Sequence, residues 1–330
     1  MLSVSLGLWQ DRPPSESLDV AQLVDELGYD RLWIGEMATY DAFALATAVG
    51  QSTKQVPLVI GPLAVAVRDP TMIAVGAASV ANLTGRHVDI ALGTSSPVVV
   101  EQWHGRSSAG RATTLRESID GVRQLMGGAK IDLNGERLRL TGYRLRIATR
   151  PPELTIAAFG PRALDIAAQC ADRLVINLVD VPLAARLVEQ VQQRRAALGR
   201  EPIAVSAWVC AAESDDQDAI EQLRRSIVGY LGAPGYSDMF RASGFGEVVD
   251  FAATRPHPRE LFAAIPDNLV ETISILGDQS AARIAQYQDA GIDEVVIVPA
   301  CTDRSPAGRL TLQRVAALQK NRAIAANTAR

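Results

Sequence analysis

The sequence predicts a (β/α)8 barrel, with a β-hairpin excursion after the fourth helix and a long insertion before the eighth strand. Three observations predict it. Strand signals alternate with helix-length segments from one end of the chain to the other. One pattern recurs: Glu26-Leu27-Gly28-Tyr29-Asp30-Arg31-Leu32-Trp33-Ile34 resembles Asp289-Ala290-Gly291-Ile292-Asp293-Glu294-Val295-Val296-Ile297, and Cys170-Ala171-Asp172-Arg173-Leu174-Val175-Ile176 is a looser copy. Each is a helix end, a break, an Asp and a buried strand, as one βα unit after another requires. The alternative, a doubly wound open sheet, usually has fewer strands and a glycine-rich first turn, which Leu6-Gly7-Leu8-Trp9 does not supply.

The elements follow in order. Residues 3–9 alternate and then turn at Gln10-Asp11-Arg12-Pro13-Pro14. Ser15 is expected to cap a helix ending at Leu27, with Gly28 as its stop. Strand 31–35 ends at Glu36 and Met37, and a helix covers 41–51. Strand 56–61 precedes a helix at 71–83. Strand 87–93 ends in Thr94-Ser95-Ser96-Pro97, before a helix at 111–126. Residues 130–133, Asn134-Gly135 and 137–140 read as a hairpin, because Asn-Gly is a strong turn signal. Strands at 154–158, 173–177 and 203–212 alternate with helices starting near 161, 183 and 214. Residues 232–265, rich in Gly, Pro, Phe and Tyr, read as an insertion and a candidate lid within one domain spanning 1–330. Helices at 266–276 and 280–290, a strand at 293–299 and a last helix from 306 to about 326 complete the chain.

Composition limits the function. With 330 residues, 48% of them hydrophobic, the chain can bury a large core. A net charge of −4 argues against nucleic acid as the main partner. Cys170, Cys210 and Cys301 lie far apart, so neither a disulfide framework nor a zinc site is expected, which suits a reducing cytoplasm. The first residues show no basic region followed by an apolar block, so no signal peptide is expected. The longest uncharged run, 70–85, is shorter than the ~20 residues of a membrane helix, and no membrane partner is expected. Residues 304–330 hold six basic residues and no acid, read as a solvated helix face rather than an anion site.

A barrel of this kind carries its chemistry at the C-terminal ends of its strands. That selects Trp9, Glu36, Met37, Gly61 to Val65 (including Leu63 and Ala64), Thr94, Ser95, Ser96, Phe159 to Arg162, Asn177, Glu213 and Pro299. The turn after Ala158 is the most informative. Gly160 lets backbone come close to a ligand, and Pro161 suits the first helical position. Amides near Phe159, Gly160 and Arg162, with the positive helix end, offer a phosphate seat; a plain strand-to-helix turn is the other reading. No nucleophile elbow, His-Glu-x-x-His, Walker loop or Gly-x-Gly-x-x-Gly is present. The mouth is apolar and hydroxyl-rich, without a metal cluster, and suits a cofactor that brings its own reactivity. Glu36 is either a proton donor with a pKa raised by burial or a carboxylate bonded to neighbouring amides. His104 reads as a surface residue or as one reaching over the site. Trp9 and Trp103 read as pocket walls or as core.

Four segments carry a family resemblance: Gly28 to Glu36; Val59-Ile60-Gly61 through Arg68-Asp69-Pro70; Leu83-Thr84-Gly85-Arg86 through Ala91-Leu92-Gly93-Thr94; and Ala157-Ala158-Phe159-Gly160-Pro161-Arg162. On these the chain resembles the luciferase-like monooxygenase superfamily, and most of all its coenzyme F420-dependent branch, which includes methylenetetrahydromethanopterin reductase. The resemblance implies a barrel with a deazaflavin across its mouth and the phosphate at the fifth helix. It also implies a bulge in the third strand with a non-proline cis peptide near Leu63–Ala64, behind the ring. The cofactor-contacting positions are then Leu63, Ala64, Thr94, Ser95, Ser96, Ala158 to Arg162 and Asn177. Relatives carry Asp-His where this chain has Glu36-Met37, and some carry an acid where it has Ser95-Ser96, so Glu36 or His104 is left as the catalytic candidate. The implied activity is F420-dependent hydride transfer to or from a small organic substrate, in a homodimer. An FMN-dependent monooxygenase and an F420-binding protein without turnover are the alternatives.

Overall fold

The computed structural model describes residues 1–6, 12–36 and 38–328, and side chains only up to 319. Trp9 and Met37 lie outside these residues. Two compact units are built, one from Met1–Leu32, Asn177–Val188 and Ser206–Arg330, the other from Trp33–Ile176 and Glu189–Val205.

The order is β1 (Leu2–Ser5), α1 (Glu16–Leu27), β2 (Leu32–Ile34), α2 (Ala42–Ser52), β3 (Leu58–Ala64), α3 (Pro70–Thr84) and β4 (Val88–Gly93). A π-helical turn, Val98–Trp103, precedes α4 (Arg111–Met126), β5 (Lys130–Asn134), β6 (Arg139–Arg144), β7 (Leu154–Ala157), α5 (Pro161–Cys170) and β8 (Arg173–Asn177). Then come α6 (Val181–Ala197), β9 (Ala204–Ala212), α7 (Gln217–Leu231), α8 (Tyr236–Ala242), α9 (Gly246–Ala253) and α10 (Pro258–Ala264). The chain continues with α11 (Asp267–Ile273), β10 (Ser274–Leu276), α12 (Ser280–Asp289), β11 (Glu294–Pro299) and α13 (Arg309–Thr328). The sheet runs β10-β9-β11-β1-β2-β3-β4-β7-β8, and β9 also pairs with β8, which closes the ladder. Without β10 this is an eight-stranded (β/α)8 barrel, as the sequence predicts.

In the unit containing β3, helix starts are written in Asp residues. Asp41 accepts from the Phe43 and Ala44 amides at 3.0 Å each and caps α2. Asp69 accepts from the Thr71 and Met72 amides at 2.8 and 3.0 Å and caps α3, with Pro70 at the first position. The Leu83-Thr84-Gly85-Arg86 segment has a local cause. A Cβ at Gly50 would lie 2.5 Å from Thr84 Cγ2, so α2 and α3 touch there. Gly85 ends α3 in the left-handed region (φ 67°), and the Arg86 guanidinium donates to the Thr53 and Lys54 carbonyls past the end of α2.

Strand β3 runs past the predicted 56–61 and contains a bulge. Leu58, Val59 and Ile60 pair with Val88, Asp89 and Ile90, but Leu63 pairs with Leu92. Three residues thus advance against two, which leaves one extra residue in β3. Gly61 has φ 127°, and a Cβ there would lie 2.1 Å from the Ala91 carbonyl oxygen. The cis peptide among the described residues is Gly61–Pro62, which corrects the non-proline bond expected near Leu63–Ala64. Pro62 supplies the tertiary amide for which the cis form costs least.

Other expectations are also corrected. The hairpin's second strand is β6, with residues 135–138 between the strands, not 137–140. Buried Glu117 sets this loop, accepting from the Glu136, Arg137 and Leu138 amides at 2.8, 3.0 and 2.8 Å. Ser15 makes no side-chain cap; Arg12 pairs with Glu16 at 2.9 Å instead. The segment read as one helix at 266–276 is α11 followed by β10, which pairs with the C-terminal half of β9.

In the other unit, β11 lies between β9 and β1. Fully buried Glu294 accepts from Ser3 Oγ at 2.5 Å and Ser206 Oγ at 2.6 Å, so strand neighbours provide its hydrogen bonds. The insertion is helical: α8, α9 and α10 bury Phe240, Val248, Val249 and Leu261 against Leu223, Ile227, Leu269 and Val270.

Candidate functional site

The unit Trp33–Ile176 carries the ends of β2, β3, β4 and β7, where most of the predicted positions fall. After β7, Ala158 is buried, and its amide donates to the Val175 carbonyl at 3.2 Å. Gly160 is the N-cap of α5 in an extended conformation (φ −81°, ψ 153°). No side chain caps this helix and its first turn holds no acid. Pro161 has no N–H, and Ala163 and Leu164 both donate to the Gly160 carbonyl at 3.0 Å. A Cβ at Gly160 would meet nothing within 4 Å, so the helix start opens onto free space. Phe159 is half-buried, and Arg162 is exposed beside the opening. Open space, N-terminal amides and a guanidinium fit a phosphate-bearing cofactor.

The other positions sort by burial. Leu63 and Ala64 are buried at the end of β3. After β4, Thr94 and Ser96 are half-buried and Ser95 is exposed with φ 57°. Ser96 starts the π-helical turn, with its Oγ accepting from the Val99 amide at 3.3 Å. His104 ends that turn and is exposed, beside exposed Trp103. Asn177 belongs to the other unit. Its Nδ2 donates to Tyr236 Oη at 3.1 Å, at the first helix of the insertion. The Tyr236 ring lies 4.6 Å from that of Tyr230, and burial raises its phenol pKa well above the ordinary value.

Glu36 follows β2, and its carboxylate is held by its neighbours. Oε2 accepts from the Ala64 amide at 3.0 Å, and Oε1 accepts from Arg68 Nε at 2.5 Å. Arg68 Nη2 donates to Asp41 at 2.6 Å, and its guanidinium lies 5.2 Å from the centre of the Phe43 ring. Burial alone would raise the Asp41 pKa; the bond from Arg68 and the Phe43 and Ala44 amides outweigh it and hold it below the ordinary value. Burial likewise opposes the charge on Arg68, and the two carboxylates override it and raise its pKa.

Sequence reasoning missed Arg68 and Asp41 as members of this cluster. Their signal was weak: an Arg just before an Asp-Pro helix start, and an Asp read only as the first residue of a helix. Among the described residues no group of three or more His, Cys, Asp or Glu could hold a metal ion. No helix there is long and apolar enough to cross a membrane.

Comparisons with known proteins show the family and the fold. The family described as luciferase-like monooxygenase matches residues 4–294. A Mycobacterium tuberculosis protein named "Putative coenzyme F420-dependent oxidoreductase" is 26% identical over 329 residues, covering 90% of this chain and 94% of that protein. The solved coenzyme F420-dependent tetrahydromethanopterin reductase from Methanopyrus kandleri superposes with a TM-score of 0.80 at 19% identity, covering 94% of this chain and 97% of that one. An EDTA monooxygenase from Chelativorans sp. superposes with a TM-score of 0.71 at 16% identity, covering 97% and 93%. The match over residues 4–294, on a closed barrel with an open α5 start, places this chain in the luciferase-like monooxygenase family.

Proposed function

We propose that the chain is a coenzyme F420-dependent oxidoreductase acting on a small organic substrate. The observation that carries this reading is the start of α5, uncapped at Gly160 and open to an incoming anion. The M. tuberculosis relative named for F420 supports the choice of cofactor. In this reading the Gly160 and Arg162 amides and the Arg162 guanidinium hold the phosphate. Thr94, Ser95, Ser96, Ala158, Phe159 and Pro161 border the cofactor, and Leu63 and Ala64 back the ring. When bound in its reduced form, the deazaflavin supplies a hydride. The chain's own residues bind, orient and keep the site dry. Glu36, with both oxygens engaged, holds the Ala64 backbone and Arg68. His104 is the second catalytic candidate.

Titration of apo-protein with F420 and with FMN, followed by fluorescence quenching, tests the reading. F420 binding is expected; tight FMN binding without F420 binding overturns it. The monooxygenase among the similar folds makes the FMN-dependent enzyme the second reading. Stopped-flow oxidation of bound reduced F420 across a substrate panel separates an enzyme from a binding protein without turnover. The proposal includes a cytoplasmic homodimer. Helix α3 contains no charged residue and exposes Met72, Val75 and Leu83, a face suited to a second copy. Sedimentation velocity is expected to give twice the 35.3 kDa chain mass.

A further inference from the structure

We propose that Glu36 and Arg68 are positioning residues that fix the Ala64 peptide groups against the cofactor ring, and that neither exchanges a proton with substrate. The inference rests on the cofactor reading above. Its basis is a closed cycle of hydrogen bonds through Ala64. The Ala64 amide donates to Glu36 Oε2 at 3.0 Å. The other oxygen of Glu36 accepts from the Arg68 side chain at 2.5 Å. The Arg68 amide donates back to the Ala64 carbonyl at 2.9 Å, as does the Val67 amide. Ala64 is therefore held on its N–H and on its C=O by two residues that also hold each other.

The strand ends explain the need for this cycle. Beyond the bulge β3 pairs with β4 again, at Leu63–Leu92 and Ala64–Gly93, and the Val65 amide donates to the Gly93 carbonyl at 3.1 Å. On its other side β2 ends at Ile34, and there the Ala64 amide finds Glu36 instead of a strand carbonyl. Arg68 is itself fixed from outside. Its Nη2 is held by Asp41 at 2.6 Å, and the Phe43 ring lies under its guanidinium. That ring needs Gly76, where a Cβ would lie 2.6 Å from Phe43 Cδ2. Glu36 and Asp41 against one guanidinium leave one excess negative charge. A planar fork that joins two carboxylates is a role for Arg and not for Lys.

The test is a series of E36Q, E36A and R68K, with F420 affinity and the absorbance spectrum of bound F420 as readouts beside thermal unfolding. E36Q keeps one acceptor oxygen, for the Ala64 amide or for Arg68 but not for both, and is expected to bind about three- to tenfold more weakly than wild type, between wild type and E36A. E36A and R68K are expected to weaken binding about tenfold or more and to shift the spectrum. Turnover lost equally in E36Q and E36A, with wild-type affinity in both, overturns the inference and restores Glu36 as proton donor. If E36A does not fold, folded R68K decides: wild-type affinity in it overturns the inference. Wild-type protein that takes FMN alone overturns the deazaflavin reading, and the same affinity ratios measured with FMN decide the positioning role. Wild-type protein that takes neither overturns both.

Discussion

Gly61, inside the β3 bulge, and Gly160, at the start of α5, do opposite things. Gly61 has φ 127° and a carbonyl oxygen 2.1 Å from where its Cβ would be. Gly61→Ala is expected to cost about 3 kcal/mol or more, read from urea denaturation. Gly160 has an ordinary φ and empty space beside it. Gly160→Ala is expected to leave stability within about 0.5 kcal/mol while filling the phosphate seat. F420 affinity should then fall about tenfold in the quenching titration. Asp41 gives a pH dependence with a definite sign. Its folded pKa lies below the ordinary value, chiefly through Arg68 acting against burial, so its contribution to stability is present above the unfolded pKa. That contribution is lost as pH falls through the folded value. Wild-type stability should therefore drop below about pH 4 more steeply than that of D41N, in urea melts across pH. Burial pushes the Cys170, Cys210 and Cys301 thiols up to about 12. Native protein at pH 8 should resist a thiol-specific reagent that titrates all three after unfolding.

At the scale of elements, legibility followed the physics of local signals. Asp69-Pro70 and Gly85 bracket α3 because capping and left-handed geometry depend on a few neighbouring residues. The 173–177 strand and the 111–126 helix were readable from apolar periodicity. Strand β10 was not, because Ile275 and Leu276 continue the apolar pattern of α11 and only pairing with β9 makes them a strand. The end of β6 was missed for a similar reason. Asn134-Gly135 signals a tight turn, but Glu117, from a helix earlier in the chain, draws three amides onto its carboxylate and lengthens the loop. Glu117→Ala strips those part-buried amides of their acceptor. It is expected to cost about 1–3 kcal/mol and to speed amide exchange across 130–144. In the candidate site, the Gly160 turn was legible because strand, Gly, Pro and helix adjoin in sequence. The Glu36–Arg68–Asp41 cluster was not, because its members come from two loops that only the fold brings together.

For the molecule as a whole, the closed ladder was expected from the rhythm of the chain, while the interior of the insertion was not. Its Gly, Pro, Phe and Tyr residues marked an insertion, and its Phe, Leu and Val residues form helices packed against α7, α11 and the end of β9. Asn177 ends β8 and grips Tyr236, the first residue of α8, through a hydrogen bond of 3.1 Å. A movement that carried α8 away from residue 177 would have to give up this bond, so α8 parts from the last residue of β8 only with the loss of a hydrogen bond.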